Sequence, residues 1–231
     1  LSFTTADVVN PSITGPSGSA GNSTSTKSFN ENSTAVHTFS ANETVTWALN
    51  GGADSSKFAI NSSTGALSFS SAPDYESPTD SDSGNDYVVV VRATDLAGNA
   101  SEQALTVSLE NLNENPTDIS LSSSAFSENI DSGSSVATLS STDPDNNDSH
   151  TYSLVNGSGD TDNSYFSING SSLLINHSPD FETKSSYNIR LQTKDSSGLS
   201  HSKTFTFSVN ALNESPSDIS LSSSSFNENI D

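Results

Sequence analysis

Cysteine and methionine are both absent from the 231 residues. No disulfide framework, thiolate metal site or cysteine nucleophile can therefore be built. Basic side chains are scarce: 7 Lys and Arg face 28 Asp and Glu, a formal net charge of −21. Nucleic acid and anionic membrane surfaces need cationic side chains against their phosphates, so this balance excludes both as partners. Metal cations are the natural counter-charge. No apolar run approaches the ~18 residues of a membrane span, and neither an initiator methionine nor a leader-like segment opens the chain. Hydrophobic residues make up 30%, and serine is the commonest residue. That is little for one large core and suits small β domains with thin cores, or disorder.

What is present is a repeat of about one hundred residues. Phe29-Asn30-Glu31-Asn32 returns as Phe126-Ser127-Glu128-Asn129 and as Phe226-Asn227-Glu228-Asn229, offsets of 97 and 100. Leu112-Asn113-Glu114-Asn115-Pro116 returns 100 residues on as Leu212-Asn213-Glu214-Ser215-Pro216. Asp74-Tyr75-Glu76 matches Asp180-Phe181-Glu182, and Thr94-Asp95-Leu96-Ala97-Gly98 matches Lys194-Asp195-Ser196-Ser197-Gly198. The frame predicts the last strand of a preceding unit at 1–9, full repeats at 10–114 and 115–214, and the first strand of a third at 215–231. It reads as a piece of a longer repetitive chain.

Each repeat reads as β throughout. Residues 87–93 and 187–193 are strand-length and rich in β-formers. Leu105, Val107 and Leu109 alternate with polar residues, as do Phe205, Phe207 and Val209, the period of a half-buried strand. Phe58-Ala59-Ile60 and Leu67-Ser68-Phe69 flank a turn with Gly65, and Phe166/Ile168 and Leu173/Ile175 flank Asn169-Gly170, so each repeat predicts a hairpin. No stretch carries a helical stripe. The expected fold is all-β, a tandem array of Greek-key sandwiches of about 100 residues each.

The carboxylates recur at turns: Glu31 after a first strand, Asp74 and Glu76 between strands, Glu114 in the linker, Asp143-Pro144-Asp145, and Asp195 after a strand. Calcium takes 6–8 oxygen ligands from flexible loops. Carboxylates on alternate residues of an extended turn aim two oxygens to one side, an arrangement suited to a hard cation. The segment Asp80-Ser81-Asp82-Ser83-Gly84-Asn85-Asp86 has the spacing of a short calcium loop but no counterpart in the second repeat, and reads as an acidic hairpin. Residues 145–148 and 160–163 read as turn chemistry. The histidines (37, 150, 177 and 201) stand singly, as surface residues do, and Trp47 matches Tyr152 as a core position.

In order and spacing these motifs resemble the cadherin repeat, with the bacterial cadherin-like repeats of large surface adhesins the closest match. The resemblance covers residues 11–216 and the start of a third unit. It implies immunoglobulin-like sandwiches with calcium between successive repeats. The junction of the two full repeats would then draw on Glu31, Asp74 and Glu76, on Asn111, Asn113 and Glu114 of the linker, and on Asp143, Asp145 and Asp195. A following junction would draw on Glu128, Asp180, Glu182, Asn213 and Glu214, with its partner repeat missing. Glu114 and Glu214 stand where animal cadherins carry Asp. The first repeat reads Ala41-Asn42-Glu43-Thr44 in place of Asp-x-Asp, so the junction before it is expected to be poor in ligands, Asp95 included.

The expected function is that of a calcium-stiffened, extracellular stalk of a cell-surface adhesin, with adjacent repeats as its partners and no enzymatic role. Two rival readings stand beside it. The repeats could bind carbohydrate or like repeats themselves, or the strand carrying Ile219, Leu221 and Phe226 could complete the sheet of a neighbouring molecule.

Overall fold

The computed structural model describes residues 7–216 and 219–220, which form two compact units divided between Asn113 and Glu114. The expected third-repeat strand lies almost wholly outside the described residues. Of the expected leading strand only residues 7–9 are described, and they carry no strand.

The first unit contains β1 (Ile13–Thr14), β2 (Thr24–Asn30), β3 (Ala35–Thr38), β4 (Ser40–Ala41), β5 (Thr46–Leu49), β6 (Phe58–Ile60), β7 (Ala66–Phe69), β8 (Asp86–Thr94) and β9 (Ala100–Glu110). One sheet runs β2-β9-β8-β5 and the other β3-β7-β6, with β1 and β4 paired separately. The chain changes sheet between β5 and β6 and again between β7 and β8, the crossed order of a Greek key. The second unit contains β10 (Asp118–Leu121), β11 (Ala125–Ser127), β12 (Ser135–Thr142), β13 (Thr151–Leu154), β14 (Phe166–Asn169), β15 (Ser172–Ile175), β16 (Ser186–Lys194) and β17 (Ser200–Asn210). Its sheets run β11-β17-β16-β13 and β10-β12-β15-β14. The all-β expectation holds, and so do both hairpins: Phe58 faces Phe69 across β6 and β7, and Phe166 faces Ile175 across β14 and β15.

Alternation explains why these segments form strands. In β8 the buried residues are Tyr87, Val89, Val91 and Ala93, and in β16 they are Tyr187, Ile189, Leu191 and Thr193. Each unit closes over its own core. In the first, Phe69 packs against Phe58 and Tyr87 with ring centroids 4.4 and 5.1 Å apart. In the second, Phe126 packs against Phe207 at 5.6 Å and Tyr187 against Phe166 at 5.7 Å. Trp47 sits in the first core beside Phe39.

One pairing was not visible in the pattern of residues. The second strand of each unit runs parallel to its last: β2 pairs with β9, and β11 with β17. This places the start of each unit's repeated acidic motif beside the point where its chain leaves the last strand.

Candidate cation-binding clusters

Parallel register is what positions the first carboxylate. Asn30 lies opposite Glu110 and Ser127 opposite Asn210. The next residues, Glu31 and Glu128, therefore stand beside the departing chain. Their N–H groups donate to the carbonyls of Glu110 (3.3 Å) and Asn210 (3.1 Å). Both side chains are buried. Glu31 accepts the N–H of Tyr75 on Oε2 (2.7 Å) and that of Leu112 on Oε1 (2.8 Å). Glu128 does the same for Phe181 (2.8 Å) and Leu212 (2.6 Å). The following asparagine adopts a left-handed φ of 61° in both units and donates its N–H to the carbonyl of Pro73 or Pro179. The Phe-x-Glu-Asn motif thus joins a core anchor (Phe29 or Phe126), a strut between two loops, and a residue type that tolerates the left-handed turn.

The loop each glutamate braces brings in two more carboxylates. Asp74 Oδ1 accepts the N–H groups of Glu76 and Ser77, each at 3.0 Å. Asp180 accepts the N–H of Thr183 at 3.0 Å and its hydroxyl at 2.8 Å. Glu31, Asp74 and Glu76 gather in the first unit and Glu128, Asp180 and Glu182 in the second, each with one carboxylate oxygen within 4.8 Å of the others. The N–H of Leu212, then that of Phe181, holds the Glu128 carboxyl below the usual carboxylate range. Glu182 goes the other way. Its own backbone N–H pulls the carboxyl down, but desolvation and the charges of Glu128, Glu214 and Asp180 together carry it up. A carboxyl pushed up by three neighbouring anions marks a place where a cation is electrostatically welcome.

A third group forms where β16 ends. Asp195 is buried and accepts the N–H of Leu199 on Oδ1 (2.8 Å). Asp143 accepts the N–H of Asp145 on Oδ1 (3.1 Å), and its Oδ2 lies 2.8 Å from His150 Nε2. The third member is Asp148, expected from sequence to serve only as a turn residue. Asp148 Oδ1 accepts the N–H of Ser149 and the hydroxyl of Ser196, both at 2.6 Å, while Oδ2 is buried without a hydrogen-bond partner. The Ser196 hydroxyl, above all, holds this carboxyl below its usual range. Asp145, one of the expected ligands, is buried and lies outside the group of three. Its Oδ2 accepts the N–H of Glu114 at 2.7 Å, tying it to the linker backbone.

The remaining linker positions are less enclosed. Asn111 and Asn213 are exposed, and Asn113 and Glu114 are half-buried. Glu214 is exposed and accepts the side-chain N–H of Asn129 at 2.6 Å. At the other end of the first unit, Asp7, Glu43 and Asp95 also gather within 4.8 Å. The sequence alone predicts an end poor in ligands, and the fold gathers three carboxylates there. The side-chain amide of Asn99 leads the contacts that hold the Asp95 carboxyl below its usual range.

Two more carboxylates are buried: Asp162, expected as part of a turn, and Asp54, which carries no expectation from sequence. Asp54 and Asp162 open short 3-10 turns four residues before Phe58 and Phe166, and accept the N–H of Val88 (2.8 Å) and Asn188 (2.7 Å). Their equal spacing from those phenylalanines was the available signal. They pin each turn to the start of β8 or β16.

Chemically, all four groups offer carboxylate oxygens from loops, the donor set of a hard cation such as calcium. Calcium fits them: the donors are hard carboxylate oxygens, and Asp148 leaves a buried oxygen without a donor.

Together, fold and clusters define a class: tandem β-sandwiches with acidic groups in their loops. Comparisons narrow it. No protein-family model matches the chain. Cadherin-4 of Caenorhabditis elegans is 31% identical over 133 residues, 56% of this chain; the chain spans 3% of that protein's length. Among solved structures, human protocadherin-24 EC1-2 superposes with a TM-score of 0.63 at 21% identity, covering 88% of this chain and all of that one. Mouse cadherin-23 EC22-24 gives 0.58 at 21% identity, covering 88% of this chain and 67% of that one. The fold is that of tandem cadherin domains. Among the described residues no helix is long and apolar enough to cross a membrane.

Proposed function

We propose that this chain is a calcium-stiffened segment of an extracellular adhesion protein, in the setting of a bacterial surface adhesin. The observation that carries this reading is the double role of the buried glutamates. Glu31 binds the Leu112 N–H with Oε1 and the Tyr75 N–H with Oε2, and its carboxylate belongs to a three-carboxylate group. Glu128 does the same at Leu212. A cation held by Glu31, Asp74 and Glu76 therefore fixes the backbone leaving the first unit. A cation at Asp143, Asp148 and Asp195 sits beside residues that hold the backbone entering the second, through Asp145 and Glu114.

Without cations each group is a set of like charges at short range. Two carboxylates about 4 Å apart repel by up to about 4 kcal/mol at an effective dielectric of 20. Calcium removes that repulsion and locks the linker to both units, turning flexible beads into a stiff stalk. Glu114 and Glu214, in place of Asp, favour the bacterial setting. A carbohydrate-binding role gains little, since it favours an exposed aromatic platform. The exposed aromatics among the described residues are Tyr75, Tyr165 and Phe181, two of them within the acidic loops.

Small-angle scattering in calcium and in EGTA tests the proposal, together with calorimetric titration. An elongated particle that becomes more flexible on chelation, with saturable binding, is the expected result. Identical scattering profiles and no binding heat would refute it.

A further inference from the structure

The connection between β7 and β8 is longer than its counterpart between β15 and β16, and its extra residues are acidic. Thirteen positions separate Asp74 from Tyr87, and seven separate Asp180 from Tyr187, so the first unit carries six more residues here. In the second unit the short connection supplies Lys184, whose Nζ lies 3.0 Å from the buried Asp162 Oδ1. In the first unit the same stretch, 77–86, has no Lys or Arg and contains Asp80, Asp82 and Asp86. Asp54, the equivalent of Asp162, accepts the N–H of Ser81 instead, at 2.7 Å. Among the described residues no ion pair reaches Asp54, Asp80 or Asp82.

Asp80 is the unusual residue. It is only 7% exposed. Its Oδ2 accepts the N–H of Gly84 at 2.8 Å, and that N–H also reaches Asp82 Oδ1 at 3.2 Å, so the two carboxylates stand side by side. Asp80 Oδ1 is buried and has no hydrogen-bond partner. Asn85 donates its Nδ2 to the Tyr75 carbonyl at 2.9 Å, which leaves its Oδ1 also buried and without a partner. Burial pushes the Asp80 carboxyl up, but the Gly84 N–H, with Asp82 beside it, outweighs that and holds it below the usual range. The acidic group thus keeps one oxygen shielded from water with no donor to meet it. A buried charge in this state calls for a counter-ion.

We infer that the 80–85 loop holds a hard divalent cation, calcium, through Asp80 Oδ1, the Asp82 carboxylate and Asn85 Oδ1, with water completing the shell. Two carboxylates and an amide are a sparse set, which places affinity in the range of about 10⁻⁴–10⁻³ M seen for extracellular modules. The site is separate from the Glu31, Asp74 and Glu76 group, and only the first unit has it. The Asn85 bond to Tyr75 joins it to the loop that bears Asp74 and Glu76, so filling it would stiffen that loop. In the second unit the shorter connection instead carries a fixed positive charge, Lys184, ion-paired with Asp162.

The test is a calcium titration of the whole chain to roughly 10 mM, followed by amide NMR shifts of Gly84 and Leu112. The expected result is a saturable Gly84 shift that D80N abolishes and D82N weakens by about tenfold through loss of one charged ligand. E31Q should remove the Leu112 response and leave that of Gly84. If D80N fails to fold, as Trp47 emission would show, the exposed Asp82 decides the matter alone. A Gly84 amide that does not respond overturns the inference. So does an unchanged midpoint in D82N, or a Gly84 response that vanishes with E31Q. Silence at Leu112 with a response at Gly84 would instead sink the proposed function and leave this site standing.

Discussion

Replacing Glu31 with alanine removes a side chain that ties both the Asp74 loop and the start of the linker to the end of β2. Two charge-assisted hydrogen bonds are lost, from Tyr75 at 2.7 Å and from Leu112 at 2.8 Å. Each such bond is worth about 1.5–3 kcal/mol. Tyr75 and Leu112 are themselves part-exposed, so water can reach their N–H groups, and the low end applies. The sum is about 3 kcal/mol, a large part of the 5–15 kcal/mol that holds a typical domain together. Glutamine offers one acceptor oxygen and turns an amide N–H toward the other donor, so E31Q should lose about half as much. The assay is urea unfolding in EGTA at about 1 M salt, where screening damps the repulsion that losing the Glu31 charge would otherwise relieve, followed by tryptophan emission. Trp47 is the sole tryptophan and is buried in the first core, so its signal reports that unit. A loss under about 0.5 kcal/mol for E31A, the size of an ordinary surface substitution, would refute the strut. The glutamate would then serve the cation alone.

Further outcomes follow from other parts of the structure. Saturating calcium should raise the Trp47 unfolding midpoint of the wild-type chain, by about 2.7 kcal/mol at a hundredfold excess over Kd. E31A should show little of that gain, and an equal gain in both would separate the ion from Glu31. Gly65 and Gly170 both hold positive φ, 72° and 59°, so alanine strains either turn. A Cβ at Gly65 also meets the Phe39 carbonyl at 2.7 Å, whereas Gly170 faces open space. G65A should therefore destabilise its unit more than G170A does, and equal losses by calorimetry would contradict the packing argument. Burial holds the His177 imidazole below its usual value of 6.5. The unfolded chain then binds the extra proton, so this contribution is complete above about pH 6.5 and is lost as pH falls toward the folded value. H177Q should flatten the fall in second-unit stability between pH 7.5 and 5.5, followed through the Ile189 and Leu191 resonances. An unchanged slope would show that His177 plays no part.

Much of this was legible in the residues. Strand positions followed from alternation, because a sheet with one buried face forces period two on Tyr87, Val89 and Val91 as on Tyr187, Ile189 and Leu191. The recurrence of Phe-x-Glu-Asn and Asp-x-Glu marked two of the acidic groups. Asp148 was missed because its part depends on folding back against Asp143 and Asp195, 47 residues further on from Asp148 itself. Asp7 and Glu43 were missed for the same reason. The 80–86 segment has the spacing of a short calcium loop but reads as an acidic hairpin for want of a counterpart in the second repeat, and spacing does not reveal that Asp80 is buried.

Order along the chain was enough to establish the repeat, the all-β class, the exclusion of thiol chemistry and a charge that calls for cations. These depend on composition and period, which no folding step can alter. Which carboxylates share a space, and which oxygens remain without a donor, came only with the fold. The parallel pairing of β2 with β9 and of β11 with β17 carries Glu31 and Glu128 to the departing chain. Burial then separates Asp80 from Asp82, two residues away and exposed. Proximity and desolvation belong to three dimensions, and they turn a run of acidic letters into separate sites.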